Sequence, residues 1–284
     1  MRILITNDDG ILAPGIAVLA QHVAAWIDRC PEGEVREAII AAPSTNYSGM
    51  SSAVGDVFDN PSVNYRRHVI RGAESITAYG LDAPPALCAI IGATGSLDFE
   101  PDLILSGINA GANVGRSVLH SGTVGAILTG AQLGLSGLAV SVQWGDDVHH
   151  FDTAGALAIQ VLQEFLNAPS RTLLNLNVPN LPASELKGVR RGRISTAGIV
   201  KSAGPNAGGE PLGDEGTLPL RLGAATPEVG DVSDEAADED GALLSNGYAS
   251  LTTLKGPHED ADVALDTLMY SALATIERHL ETLR

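Results

Sequence analysis

Basic residues are scarce in this chain of 284 residues, which carries 17 Lys and Arg against 34 Asp and Glu and a formal net charge of −17. The sequence contains no basic patch. It therefore excludes duplex nucleic acid and anionic membrane as expected partners, because both are bound through clustered positive charge. A small phosphorylated ligand is compatible with this acidity, since a metal ion and local backbone donors outweigh an unfavourable net field.

Cysteine and long apolar runs are also lacking. The two cysteines, Cys30 and Cys88, have a spacing that fits no zinc site, and such a pair more often gives two buried thiols than a disulfide. No apolar run approaches the roughly 18 residues of a membrane span, and Asp8 and Asp9 interrupt any signal-peptide core. Because 44% of the residues are hydrophobic, we expect a globular protein. The lack of a signal-peptide core and of a membrane span leads us to expect a cytoplasmic location.

Short apolar runs alternate with segments of helical periodicity through the first two-thirds of the chain. The predicted strands are residues 2–6, 38–42, 76–80, 103–106, 138–142 and 173–178. The predicted helices are residues 15–27, residues 84–92, a segment after Gly122, and a segment marked by Leu157, Val161 and Phe165. This alternation predicts an α/β fold with a doubly wound, mostly parallel, Rossmann-like sheet.

The character of the sequence changes near Pro182, where glycine, proline and charge become frequent. We predict an α/β core over residues 1–182 and a C-terminal extension over residues 183–284, within the same domain and serving oligomerisation. The extension is predicted to contain a β-hairpin, a strand over residues 247–254 and a terminal helix marked by Leu265 to Leu280. Its acidic tract is predicted to be a solvated loop because it lacks a ligand spacing. The tract comprises Glu228, Asp231, Asp234, Glu235, Asp238, Glu239 and Asp240.

The first strand ends abruptly at Asn7-Asp8-Asp9-Gly10. Open α/β sheets bind ligands just outside the carboxyl ends of their parallel strands, so this segment stands at a favoured position. Two neighbouring carboxylates repel each other, and a hard divalent cation with oxygen ligands offsets that repulsion. The alternative is a turn rich in Asn and Asp, in which Asn7 or Asp9 caps the next helix.

Two further polar loops follow predicted strands, over residues 43–52 and 106–115. In a parallel sheet all three loops lie at the same edge and can converge on one site. Ser48 or Asn109 can then complete the sphere of a cation held by Asp8 and Asp9 without adding charge. The alternatives are that Ser48 is an ordinary loop hydroxyl and that Asn109 and Asn113 occupy left-handed turns.

The third loop continues through His120 into a helix that begins at Ser121-Gly122-Thr123. The backbone N–H groups and hydroxyls of this turn, with the positive end of the helix dipole, suit a phosphate, although Ser121 and Thr123 are also ordinary N-cap residues. No Walker A loop and no Gly-x-Gly-x-x-Gly fingerprint follows a predicted strand. A metal beside a phosphate cradle indicates phosphoryl chemistry. His120 is either a general acid or a packed neighbour.

Six sequence blocks, in order over nearly the whole chain, resemble the SurE family of divalent-metal-dependent phosphatases, which are 5′/3′-nucleotidases. The blocks are MRILITNDDGI from residue 1, the Ala-Pro-x₄-Ser-Gly arrangement from residue 42, PDLILSGINAGANVG from residue 101, HSGTVGA from residue 120, LNLNVP from residue 174 and GYASLTTL from residue 247.

The resemblance implies one Mg²⁺ or Mn²⁺ ion per subunit, coordinated by Asp8, Asp9, Ser48 and Asn109. It implies a phosphate site at Asn113 and Ser121-Gly122-Thr123, a nucleoside 5′- or 3′-monophosphate as substrate, and a homodimer or homotetramer built through the extension. Asp8, Asp9 and Asn109 are accordingly the expected catalytic residues.

The chain departs from the family pattern at residues 83–88, where the family's Gly-Thr-Pro-Ala-Asp-Cys reads Ala-Pro-Pro-Ala-Leu-Cys. That loss of Thr and Asp makes a second function plausible: a nucleotide-binding, oligomeric stress module without turnover. A covalent aspartyl-phosphate hydrolase is excluded, because that chemistry needs Asp-x-Asp after the first strand and here Asn7 takes the position of the nucleophile.

Overall fold

The structure, a computed structural model, describes residues 1–145, 148–195 and 237–257, and the fold is given for these residues. The strands are β1 (Arg2–Thr6), β2 (Glu37–Pro43), β3 (Tyr65–His68), β4 (Thr77–Leu81), β5 (Leu103–Ala110), β6 (Ser136–Val142), β7 (Leu173–Val178), β8 (Val189–Arg191) and β9 (Ala249–Leu254). The α-helices are α1 (Pro14–Asp28), α2 (Pro85–Ala93), α3 (Gly122–Gln132), α4 (Phe151–Glu164) and α5 (Asp240–Ser245). Short 3₁₀ helices cover Gly115–His120, Phe165–Asn167 and Ala183–Glu185.

The strands form one sheet in the order β3-β4-β2-β1-β5-β6-β7-β9-β8. The six strands from β4 to β7 are parallel, whereas β3 and β9 run antiparallel to their neighbours β4 and β7. The predicted α/β class and mostly parallel sheet are confirmed. Chain order reverses direction between β1 and β5, which makes the gap beyond their carboxyl ends the topological switch point where such sheets bind ligands.

Both faces of the sheet are covered, as a central parallel sheet requires. Helices α1 and α4 pack on the face that carries Ile3 and Ile5 of β1, and helices α2 and α3 pack on the opposite face, which carries Leu4. All three of these side chains are fully buried. Within the described residues, no helix is long and apolar enough to cross a membrane.

Two strands differ from the sequence prediction. Strand β3 was not predicted, because Tyr-Arg-Arg-His lacks apolar alternation and forms an exposed edge that depends on antiparallel pairing with β4. Strand β5 continues past residue 106 to Ala110, and its pairing with β6 shifts register between Ser106 and Asn109. This register shift directs the glycine-rich loop out of the regular pairing with β6 and towards the switch point.

The described part of the extension completes the sheet. Strand β9 pairs with β7, and β8 pairs with β9 in parallel, so these two strands do not form the predicted hairpin with each other. The predicted terminal helix lies outside the described residues, as do Glu228, Asp231, Asp234 and Glu235 of the acidic tract.

The prediction of a solvated acidic loop is wrong for Asp240, whereas Asp238 is exposed as predicted. Asp238 and Glu239 pair with Arg193 at 3.1 and 3.5 Å. Asp240 is fully buried, and its carboxylate accepts the N–H groups of Gly115 at 2.9 Å and Ser195 at 3.1 Å. The reason is that two separate loops end here with backbone donors that need a buried acceptor.

Asp240→Ala removes the acceptor of both N–H groups inside the fold. A buried donor that loses its partner costs about 1–3 kcal/mol, so we expect the free energy of unfolding to fall by about 2–4 kcal/mol in urea titrations. Asp238→Ala is the matched control: it breaks an exposed ion pair, which water screens, and should lower the free energy of unfolding far less than Asp240→Ala does. Equal losses in the two variants would contradict the anchoring role of Asp240.

Candidate active site

The three polar loops predicted from the sequence meet at the carboxyl ends of β1, β2 and β5. They line one cleft with a volume of about 470 Å³, a size typical of small-molecule sites. The predicted residues on its lining are Asp8, Ser48, Asn109, Asn113, His120 and Ser121. Asp9, Gly122 and Thr123 contact this group from behind, as described next.

Asp8 is buried at the end of β1, where helix α3 begins. Thr123 Oγ1 donates a hydrogen bond of 2.6 Å to Asp8 Oδ1, and the backbone N–H groups of Gly122 and Thr123 face the same carboxylate. Burial raises the pKa of Asp8, and these hydrogen bonds lower it in part. Only a glycine allows this approach, because a Cβ atom on Gly122 would lie 2.7 Å from the Asp8 Cβ atom.

The turn at Ser121-Gly122-Thr123 both caps α3 and contacts the Asp8 carboxylate. Ser121 caps α3, since its Oγ accepts the Val124 N–H at 3.1 Å, as the N-cap alternative foresaw. Thr123, predicted to face a phosphate, donates its hydroxyl to Asp8 in the structure, and the N–H of Gly122 faces the same carboxylate. The positive end of the α3 dipole thus acts first on a carboxylate of the protein.

Asp9 lies beside Asp8 and is half-buried. Its Oδ2 accepts the Ala110 N–H at 3.3 Å, which links it to the end of β5. Burial and the negative charge of Asp8 raise the pKa of Asp9, while the Ala110 N–H and the nearby His149 lower it in part. Two adjacent acids with raised pKa values form a site that gains free energy when a cation arrives.

Asn7 builds the turn that presents the two acids. Its Nδ2 donates to the Gly10 carbonyl at 2.9 Å, and its Oδ1 accepts the Gly10 N–H at 3.2 Å. Helix α1 has Ala13 at its N-cap with no side-chain cap, so Asn7 and Asp9 do not cap that helix. Asn7 therefore has the turn-forming role of the alternative interpretation. Asp8 and Asp9 instead contact other segments, at the start of α3 and the end of β5.

The second loop is tied to the first and to α3. The Tyr47 N–H donates to the Asp8 carbonyl at 2.7 Å, which brings the exposed Ser48 to the cleft. Behind it, the Ser51 carbonyl oxygen lies so close to α3 that a Cβ atom on Gly125 would be 2.2 Å away. These contacts set the position of the backbone on either side of Ser48.

Asn109 has a fixed amide orientation. Its Nδ2 donates to the Gly111 carbonyl at 2.6 Å, which leaves Oδ1 as the atom that can accept a hydrogen bond or bind a cation. Asp8, Asp9, Ser48 and Asn109 together offer two carboxylates and two neutral oxygens, a donor set that fits a hard divalent ion. In the part of the chain that the structure describes, no group of three or more His, Cys, Asp or Glu residues could hold a metal.

A family model described as Survival protein SurE matches residues 3–200 of the chain. The chain belongs to the SurE family. The resemblance inferred from the six sequence blocks is thereby confirmed.

Relatives extend the match beyond residue 200. The chain is 36% identical to 5′-nucleotidase SurE of Ectopseudomonas mendocina over 285 residues, which cover 99% of each chain. It is 34% identical to 5′-nucleotidase SurE of Legionella pneumophila strain Lens over 261 residues, covering 89% of this chain and 90% of the relative. It is 36% identical to 5′/3′-nucleotidase SurE of Erwinia tasmaniensis over 256 residues, with coverage of 89% and 90%.

The fold is also that of a solved family member. The crystal structure of the SurE protein from Aquifex aeolicus superposes with a TM-score of 0.69 at 26% identity, covering 96% of this chain and 100% of that chain.

The departure from the family pattern at residues 83–88 lies near the cleft. Pro84 takes the N-cap of α2 without a side-chain cap. The next residue, Pro85, packs close to Gly122, since a Cβ atom on Gly122 would lie 3.1 Å from Pro85 Cγ.

Sequence reasoning missed several residues that hold the site together. Asn175 and Asn177 of β7 and Ser141 of β6 are fully buried and bind Asn113, and Asp240 binds the loop at Gly115. The signal was present in the LNLN block, since asparagine is out of place in a buried apolar strand. Nothing in the sequence indicated that its partner was Asn113.

Asp9→Asn should stabilise the metal-free protein at neutral pH, because it removes one of two neighbouring buried charges. In the folded chain both carboxyls keep their protons above the ordinary pKa of 3.8, so ionisation lowers the free energy of unfolding as the pH rises through the raised pKa. The advantage of Asp9→Asn is therefore full above the raised pKa and disappears as the pH falls towards 3.8.

Urea unfolding in chelator at a series of pH values measures this difference, with the exposed Asp59→Asn as the matched control. Saturating Mn²⁺ should reverse the order of stability, because the ion binds the intact pair more tightly. A metal-free Asp9→Asn variant that is less stable than the wild type at neutral pH would refute the interpretation.

Proposed function

We propose that this chain is a divalent-metal-dependent phosphomonoesterase, a 5′-nucleotidase that hydrolyses nucleoside 5′-monophosphates and also accepts 3′-monophosphates. The observation that carries the proposal is that Asp8, Ser48 and Asn109 line one cleft, while the neighbouring Asp9 accepts the N–H of Ala110, the residue after Asn109. The family relatives named 5′-nucleotidase and 5′/3′-nucleotidase support the substrate class.

Asp8, Asp9, Ser48 and Asn109 hold one ion, Mg²⁺ or Mn²⁺, in this proposal. A divalent ion supplies positive charge to the phosphoryl oxygens and acidifies water. The chain's own contribution is orientation: Thr123 and the α3 N-terminus keep the Asp8 carboxylate aimed at the cleft. The neutral oxygens of Ser48 and Asn109 add ligands without cancelling the charge that the phosphoryl group needs.

The phosphate would bind beside the start of α3, where Asn113 and Ser121 line the cleft. Asn113 and Ser121 contact its oxygens, and Gly122 and Thr123 contribute through the carboxylate they hold. Water attacks phosphorus, the bond from phosphorus to the ribose oxygen breaks, and that oxygen takes a proton, which yields nucleoside and inorganic phosphate. His120 is exposed on the cleft and is the candidate donor of that proton.

We also propose that the protein works in the cytoplasm as a homodimer or homotetramer built through residues 183–284. The net charge of −17 supports a protein that does not adhere to nucleic acid or to anionic membrane. Light scattering coupled to size-exclusion chromatography, with and without the residues after 257, tests the oligomer.

The function is tested by phosphate release from a panel of nucleoside 5′- and 3′-monophosphates, with and without Mn²⁺. Asp8→Asn and Asp9→Asn should each lower kcat/KM by about 10³-fold or more while circular dichroism stays unchanged, because both remove charge from the ion site. Asp59→Asn changes an exposed carboxylate that lies beyond the second loop and outside the cleft lining, and it should leave kcat/KM unchanged.

Two results would contradict the proposal. Nucleotide binding without any phosphate release would favour the module without turnover. Full activity in the double variant Asp8→Asn, Asp9→Asn would show that the acids hold no ion needed for catalysis.

A further inference from the structure

Strand β7 carries two amides where a buried strand would normally be apolar. Leu173, Asn175 and Asn177 alternate on the sheet face that packs against α2 and α3, and both asparagines are fully buried. A buried amide without hydrogen bonds is costly, so its partners indicate why it is there.

Both amides are directed at the main chain of Asn113. Asn177 Oδ1 accepts the Asn113 N–H at 2.7 Å, and Asn177 Nδ2 donates to the Asn113 carbonyl at 3.1 Å. Asn175 Nδ2 donates to the same carbonyl at 2.8 Å. Asn177 therefore replaces, with one side chain, the donor and the acceptor that a neighbouring strand would offer to Asn113.

The side chain of Asn113 is held as well. Its Nδ2 donates to Ser141 Oγ at 2.9 Å, and Ser141 lies directly opposite Asn177 in the pairing of β6 with β7. An amide nitrogen carries two hydrogens, so one is directed to Ser141 and the other can be donated into the cleft that Asn113 lines.

We propose that Asn177, together with Ser141 and Asn175, is a positioning residue that orients Asn113 towards the phosphate of the substrate. The assignment rests on the proposed function, since it names what holds one side of that site. A glycine-rich loop would otherwise sample many conformations, and a donor displaced by about 1 Å loses much of its effect on the reaction.

A purely structural role explains these amides less well. The pairing of β6 with β7 runs from Gly137↔Leu173 to Val142↔Val178 through main-chain bonds, without help from the amides. Asn175 Oδ1 is buried and has no hydrogen-bond partner among the described residues, a cost that packing alone would avoid with an apolar side chain.

The first measurement separates the phosphate side of the site from the metal side. Asn177→Ala should raise both KM for a nucleoside monophosphate and the inhibition constant of inorganic phosphate by about 10-fold or more. The Kd for Mn²⁺ should change by less than about 2-fold, because the variant touches none of the proposed metal ligands. An equal loss of Mn²⁺ affinity would mean general collapse of the loop and would overturn the assignment.

A double-mutant cycle tests whether Asn177 acts through Asn113. If it does, Asn113→Ala combined with Asn177→Ala loses no more kcat/KM than Asn113→Ala alone. Losses that multiply would overturn the assignment. Asn246→Ala is the matched control, since it removes an asparagine that donates to a backbone carbonyl in α5 and should leave KM unchanged.

Ser141→Ala keeps the assignment testable if Asn177→Ala does not fold. It deletes one oxygen and should raise the phosphate inhibition constant in the wild-type background but not in the Asn113→Ala background. A wild-type protein that releases no phosphate from any nucleotide overturns the proposed function. An active wild type with multiplicative cycles overturns the positioning role alone.

Discussion

The structure depends on the placement of two adjacent carboxylates at the inner end of a buried strand. Asp8 is held there by the Thr123 hydroxyl, with the first N–H groups of α3 facing its carboxylate, while Asp9 receives one N–H from the end of β5. Burial opposes the ionisation of both acids. A bound cation favours their charged forms and would therefore stabilise the folded protein. The strand order puts the two carboxylates at the switch point. Glycines and loop contacts around the cleft let the neighbouring segments approach them closely.

Two glycines of α3 allow the first and second loops to approach the helix closely. Helix α3 contacts the first loop at Gly122 and the second loop at Gly125, in each case at a distance that a Cβ atom would occupy. The helix therefore serves as the common support on which both loops rest. Because α3 also follows the third loop through only the short 3₁₀ helix Gly115–His120, one helix N-terminus sets the relative position of all three loops.

The loop between β5 and α3 is secured from outside its own segment. Asn177 brackets Asn113 from β7, and Asp240 accepts the N–H of Gly115 from the C-terminal extension. The two anchors are buried polar groups that compensate for the missing backbone ladder of the loop. The extension thus belongs to the architecture of the cleft, and its acidic end is a structural element.

By itself the sequence determined the class of fold and the chemistry of the first strand end, because hydrophobic periodicity and the Asn-Asp-Asp-Gly block are local signals. It also located Ser48, Asn109 and Asn113 on loops at one sheet edge. It did not reveal β3, the brackets from Asn177 and Asp240, or the binding of Asp8 by Gly122 and Thr123. Those features were decided by the tertiary structure, since each joins residues that are 10 to 125 positions apart and depends on distances that no local pattern encodes.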